Sequence, residues 1–236
     1  MMKRLVFLVA LTVAALGTLY AQDNPIKFSA GLGVSFLGTT NDQRFTVEGT
    51  GVELKQGTGS FGINGFIDIT QYFTVILGYR TALGQDSATL SFPGYSKTNT
   101  VSNNVSQFEI GAEVKYPFPL GSSGFSLAPK IGLDYIGFLS GGTNGLDFSS
   151  SGDSSDLEQT FSPLYLNLGI DLNYNFTSNW FVRVPLDLEI GLNARLSSTY
   201  YNAWAYDLTG GYSSSGSYTS SSNIGFRTGL EVGYTF

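Results

Sequence analysis

The sequence predicts an all-β fold, a closed eight-stranded antiparallel up-and-down barrel that crosses a membrane on its strands. Three observations carry this reading. Apolar residues recur at every second position in eight separate stretches, which is the period of a strand with one greasy face. The connections between those stretches alternate between short and long. Charged residues are only 13% of the chain, about half of the roughly 25% usual for soluble domains. Aromatics reach 14%, and nothing after the first residues approaches the 18 apolar positions in a row that a spanning helix needs.

The start of the chain is subtracted first. Met1-Met2-Lys3-Arg4 is short and basic, an apolar run follows from Leu5 to Leu16, and small residues close it at Gly17 and Ala21. This is the layout of a secretory signal peptide over 1–21, cleaved after Ala21, leaving residues 22–236 as one barrel domain. At about 15 apolar residues the run is short for a bilayer span.

The eight segments then follow in order. Phe28, Ala30, Leu32, Val34 and Phe36 alternate with small or polar residues, and Phe61, Ile63, Ile67 and Ile69 repeat the pattern. The third face is Phe73, Val75, Leu77, Tyr79 and Leu83; the fourth is Phe108, Ile110, Ala112, Val114 and Tyr116. Phe125, Leu127, Ile131, Leu133 and Tyr135 make the fifth, and the sixth runs cleanly from Leu164 to Phe176. The seventh carries Val182 to Leu196, and the eighth Ile224, Phe226, Leu230, Val232, Tyr234 and Phe236. Period 2 is sustained over ten or so residues, the length a tilted strand needs to cross a bilayer; no stretch repeats at 3.6.

Gln71-Tyr72, residues 117–124 and Thr177-Ser178-Asn179 are short connections, whereas 38–59, 84–104, 140–159 and 197–222 are long and polar. That asymmetry predicts short periplasmic turns and four long extracellular loops. Aromatics gather beside the short turns (Tyr72, Tyr116, Phe118, Tyr174, Trp180) and again near the long loops (Phe36, Phe61, Tyr79, Phe108, Tyr135, Phe161, Phe226). Two such belts are where amphipathic rings rest at the two faces of a bilayer. An even strand count allows closure, which leaves no unpaired amide edge in lipid. The lipid itself is then the first partner.

The final stretch GLEVGYTF places Leu230, Val232, Tyr234 and Phe236 on one face and ends on the aromatic. With the signal peptide and the eight strands, this resembles the small outer-membrane β-barrels of the OmpA, OmpX and OmpW type. The resemblance implies that these four residues are a signal read by the barrel-assembly machinery, and it implies residence in the bacterial outer membrane as a monomer. It covers nearly the whole mature chain and is architectural, with no motif that picks one subfamily.

If the apolar set meets lipid, the alternate set faces the lumen. It includes Arg80, Glu109, Glu113, Lys130, Asp171, Arg183, Glu189, Arg227 and Glu231, beside Asp68, Asp134, Asp187 and Arg195. Isolated buried charges are very costly, so these should pair. Folding the hairpins predicts Arg80 opposite Glu109, Glu113 near Lys130, Asp171 near Arg183, and Glu189 near Arg227, because antiparallel neighbours on one face can touch. The reading is a polar core that satisfies itself and plugs the barrel. A sharper alternative has the ion pairs swapping to open a narrow ion path.

Composition excludes other classes. A net charge of −6, with no clustered Lys and Arg, argues against nucleic acid. With no His and no Cys, the histidine-dependent hydrolase and transferase mechanisms and the usual zinc and copper ligand sets are closed, so no enzyme, metal or cofactor is expected. Asp187 and Glu189 form a carboxylate pair, but beside arginines they read as structural. The Gly-rich stretch 59–65 lacks a following helix to hold a phosphate. Asp153 and Asp156 sit in an acidic stretch without the full oxygen spacing of a calcium loop. Tyr200, Tyr201, Trp204 and Tyr206 lie among Ser and Gly, the chemistry of adaptable recognition loops; the bland alternative is rings resting at the lipid boundary. The predicted function is therefore a structural barrel displaying its loops to a host or other extracellular ligand, in an adhesion-like role. The alternative is a narrow ion pore or an OmpW-like conduit for small hydrophobic molecules.

Overall fold

A computed structural model of the chain describes residues 27–47, 50–92, 95–144, 163–192, 198–210 and 217–236. The expected signal peptide, Phe161, Arg195 and the acidic stretch 151–156 lie outside the described residues.

Among the described residues eight long strands form the wall: β1 (Phe28–Val47), β2 (Thr50–Ile69), β3 (Phe73–Phe92), β4 (Tyr95–Lys115), β5 (Phe125–Asn144), β6 (Leu164–Asn175), β7 (Trp180–Gly191) and β8 (Ser217–Thr235). Each pairs antiparallel with the next, and β8 returns to β1 from Ser29 opposite Thr235 up to Thr46 opposite Ser217. The ring is closed, as lipid requires of any strand that crosses it. A two-residue strand, Phe118–Pro119, pairs with Leu127 and Ser126 in the β4–β5 turn. Gly121 and Gly124 hold φ near +71° and +78° there, a conformation that costs a side chain but not a glycine.

Strand polarity inverts halfway up the wall. From Phe28 to Phe36 the outward residues of β1 are apolar, and inward Ser35 is polar. Above Phe36 the same alternation continues with its chemistry exchanged. Asp42 and Arg44 point outward and are exposed, while Phe45 and Val47 point inward and are buried. The eight residue steps from Phe28 to Phe36 cover about 26 Å along a strand, and rather less along the bilayer normal once a tilt of about 40° is included. That matches a hydrocarbon band. The upper belt marks its edge: Phe36 packs tilted against Phe61 with ring centres 5.1 Å apart, and Phe108 meets Tyr135 edge-on at 5.8 Å. At the other edge Trp180 and Phe236 both contact Tyr234.

This inversion corrects the loop boundaries. The stretches 38–59 and 84–104 are not long loops but the upper halves of two hairpins, which continue in register to Val47–Thr50 and Phe92–Tyr95. Their outward faces are Gly, Ser, Thr and charged residues because they stand in water. The last long stretch also differs from expectation: a helix, α1 (Ser198–Thr209), lies within it, and β8 begins at Ser217. The wall is tall on the β1–β4 side and low at β6 and β7, which have 12 residues each.

Candidate functional site

Three layers of side chains fill the barrel, and α1 closes the top. At the periplasmic end the Arg183 guanidinium lies 4.3 Å from the centre of the Phe66 ring and 5.4 Å from that of Phe181, a desolvated cation on two ring faces. It also bonds Asp68, Asp171 at 3.5 Å and Glu231 at 3.2 Å. Lys115 joins Asp68 at 2.8 Å and Asp171 at 3.7 Å.

The middle layer is organised by two cations. Lys130 contacts Glu113 at 3.1 Å, Asp171 at 2.9 Å and Asp187 at 3.0 Å. Arg227 is the hub of the layer, reaching Glu109 at 2.6 Å, Glu113 at 3.0 Å, Asp134 and Asp187 at 2.9 Å and Glu189 at 3.1 Å. Arg80 pairs with Glu109 from the other side, and Asn167 donates to Glu113 and Asp134 at 3.0 Å each. All of these charged groups are buried. Their carboxylates sit partly where side chains are missing: a Cβ on Gly111 would stand 2.1 Å from Asp134 Oδ1, and one on Gly169 2.0 Å from Asp187 Oδ1. A void of about 10 Å³ beside Arg227 and Lys130 is the size of one water molecule.

Every described residue of the anticipated lumen set lies in this network, and each of the four anticipated pairs is in contact. Lys115 was missed, although it has the same strand parity as Glu113; its place beside the turn hid it. Leu230, Val232 and Phe236 point outward and are exposed, and Tyr234 is half-buried between Trp180 and Phe236. The Phe236 amide donates to the Phe28 carbonyl at 2.9 Å, tying the last residue to the first strand.

A small apolar layer of Leu37, Ile136 and Tyr165 caps the network. Above it the upper hairpins enclose a vestibule lined by Phe45, Val52, Leu54, Leu90 and Val101, and α1 is seated in it. Here the recognition-loop expectation is corrected. Tyr200, Tyr201 and Trp204 are buried at 0–1% exposure, and only Tyr206 remains accessible at 41%. The reason is the spacing 200, 201, 204, 205, 208, which puts two tyrosines, the tryptophan, Ala205 and Leu208 on one helical face. That face meets the inverted apolar wall. The signal was present in the sequence, but Ser and Gly on both sides of it masked a helical period.

The floor of the vestibule is a chain of hydrogen bonds. The Tyr201 hydroxyl donates to Gln43, and Gln43 Nε2 to Asn41 at 3.1 Å. Asn41 Nδ2 donates to Gln56 at 2.7 Å, and Gln56 Nε2 to Asp86 Oδ2 at 2.9 Å. The Tyr200 hydroxyl donates to that same Asp86 oxygen, so every donor points towards one carboxylate. Asp86 lies seven residues above the belt residue Tyr79, outside the bilayer. Burial raises its pKa above the usual carboxylate value, and the bonds from Tyr200 and Gln56 pull back against that shift. At the rim Lys97 Nζ donates to the Asp207 carbonyl at 2.8 Å and the Leu208 carbonyl at 3.3 Å, placing a cation at the negative end of the helix. Asn99 binds the Asp207 carboxylate.

No curated protein matches the sequence. Solved structures do, as folds. The outer membrane protein OprG from Pseudomonas aeruginosa superimposes with a TM-score of 0.50 at 10% identity, over 89% of this chain and 95% of that one. The N-terminal β-barrel domain of Pseudomonas aeruginosa OprF aligns at 16% identity and a TM-score of 0.31, over 86% of this chain and 97% of its own. Ail, the attachment invasion locus protein of Yersinia pestis, solved with the heparin analogue sucrose octasulfate, aligns at 11% identity and a TM-score of 0.37, over 89% and 99%. The sequence itself matches the family described as outer membrane protein beta-barrel domain over residues 5–200. With a closed ring, two aromatic belts and that match over most of its length, the chain belongs to the outer membrane protein β-barrel domain family and is a protein of the bacterial outer membrane.

Proposed function

We propose that the protein is a filled, non-conducting structural barrel that carries rigid hairpins above the membrane as an interaction surface, and that it is not an enzyme. The observation that carries this reading is the Arg227–Lys130 network, in which buried cations and carboxylates occupy the lumen at bilayer depth. Buried pairs of this kind are stable only while all members remain in place, because removing one leaves an uncompensated charge. Carboxylates committed to cations in this way are poor general bases, which supports a non-enzymatic role.

The competing reading is a narrow ion pore or a conduit for small hydrophobic molecules. It needs a path through the network, and a void of about one water molecule supports the filled barrel instead. The extracellular hairpins are then the interactive part, held upright by cross-strand hydroxyl pairs such as Ser87 with Thr100 at 2.9 Å and Thr89 with Thr98 at 2.9 Å. Single-channel recording of the refolded chain tests this. A silent bilayer is expected from the wild type; discrete conductance steps that disappear in Arg80→Ala and Arg227→Ala would replace the structural role with a gate.

A further inference from the structure

We infer that the vestibule is a binding site for small aromatic alcohols of the phenol class, and that α1 is its tethered occupant. The wall of the site is built without α1. Its apolar residues stand on the β1–β2 and β3–β4 hairpins, which pair continuously along their own length. What fills the cup is chemically specific: two phenol rings and an indole, each buried. Both phenol hydroxyls donate to acceptors on the floor, Asp86 and Gln43. A buried carboxylate that gathers hydroxyl and amide donors, with no cation paired to it among the described residues, is an acceptor for a neutral donor ligand.

Two features mark α1 as a replaceable guest. Its sequence, STYYNAWAYDLT, is poor in strong helix formers, and 12 residues are too few to hold a helix in isolation. The cup therefore sustains the helix, and a competitor for the cup melts it. The fit is also incomplete. Trp204 Nε1 is fully buried and, among the described residues, has no acceptor, so undocking the helix gives that N–H a bond to water that the docked state lacks. A phenol supplies both halves, a donor to Asp86 and a ring for the apolar wall. Binding takes place above the ionic layer, so it is independent of whether the lumen conducts.

The test uses the full refolded chain with Trp180→Phe, which leaves Trp204 as the only tryptophan. Para-cresol is titrated and Trp204 emission recorded, with toluene as the ring lacking the hydroxyl. The inference expects a saturable red shift as the helix leaves, with a midpoint for para-cresol at least tenfold below that for toluene. Tyr200→Phe removes the internal competitor's bond to Asp86 and keeps its ring. Since apparent affinity scales with the fraction of open cup, its midpoint should fall about tenfold, the worth of one hydrogen bond to a charged group. Asn99→Cys with Asp207→Cys, joined by a short dithiol-reactive linker at the rim, should abolish the shift. The chain has no other cysteine to interfere. An unsaturable shift, equal midpoints for the two ligands, or a response that survives the rim cross-link would overturn the site and reduce the effect to partition into detergent.

Discussion

Arg227 is the most informative residue to remove. Its guanidinium touches five carboxylates, of which Glu109 keeps Arg80, and Glu113 and Asp187 keep Lys130. Among the described residues, Asp134 and Glu189 pair with Arg227 alone. Among the described residues the lumen holds five cations (Arg80, Lys115, Lys130, Arg183, Arg227) against eight carboxylates (Asp68, Glu109, Glu113, Asp134, Asp171, Asp187, Glu189, Glu231). Arg227→Met widens that imbalance from three to four and strands two carboxylates in a low-dielectric interior. Breaking one buried pair costs about 3–5 kcal/mol, and the same range is expected here because Asn167 still donates to Asp134 at 3.0 Å. The triple variant Arg227→Met, Asp134→Asn, Glu189→Gln removes the stranded charges together. It should recover most of the loss, since replacing a whole buried ionic group is often close to neutral. Urea unfolding in lipid vesicles, followed by tryptophan emission, measures both. A single-variant loss below about 1 kcal/mol, or a triple variant no better than the single, would show that Arg227 does not balance the lumen.

The remaining expectations concern the plug, the wall and assembly. Trp204→Ala should cost about 3–5 kcal/mol of docking free energy, seen as fast amide exchange over 198–209 while the strands stay protected. Asp86 has a folded-state pKa raised by burial, so its contribution to folding stability is fully present below the unfolded value of 3.8 and is lost as pH rises through the folded value. The urea midpoint of the wild type should fall with rising pH across that window more than that of Asp86→Asn does. Gly169→Ala places a Cβ 2.6 Å from the Leu186 carbonyl, backbone that cannot yield, and should lower the urea midpoint by about 1–3 kcal/mol of stability. Deleting Phe236 removes an aromatic that is 76% exposed to lipid. Surface levels should drop through failed assembly while the refolded barrel keeps its fold, and normal surface levels would sink the proposed assembly signal.

The transmembrane halves of the strands were legible because one physical rule governs them. Lipid outside and a satisfied lumen inside force apolar and polar residues to alternate, so the faces of Phe28–Phe36 or Leu230–Phe236 can be read directly. The charged partners followed from parity and hairpin geometry. The upper hairpins were not legible by the same rule. There the outside is water, and Asn41 to Val47 reads as a polar loop with two stray apolar residues unless the inversion is known. Tyr200, Tyr201 and Trp204 read as recognition residues for a related reason, since burying them needs an apolar cup that exists only after β1–β4 have closed.

By itself the sequence determined the fold class, the strand faces, the belts and the sign and place of the lumen charges, because each is a local alternation set against a fixed solvent. Tertiary structure decided that Arg227 is the hub rather than one pair among four, that the strands continue far above the bilayer, and that a weak helix fills their mouth. Those outcomes depend on which residues from distant strands meet across a closed ring. A period of two encodes the face of each residue but not its neighbour across the lumen.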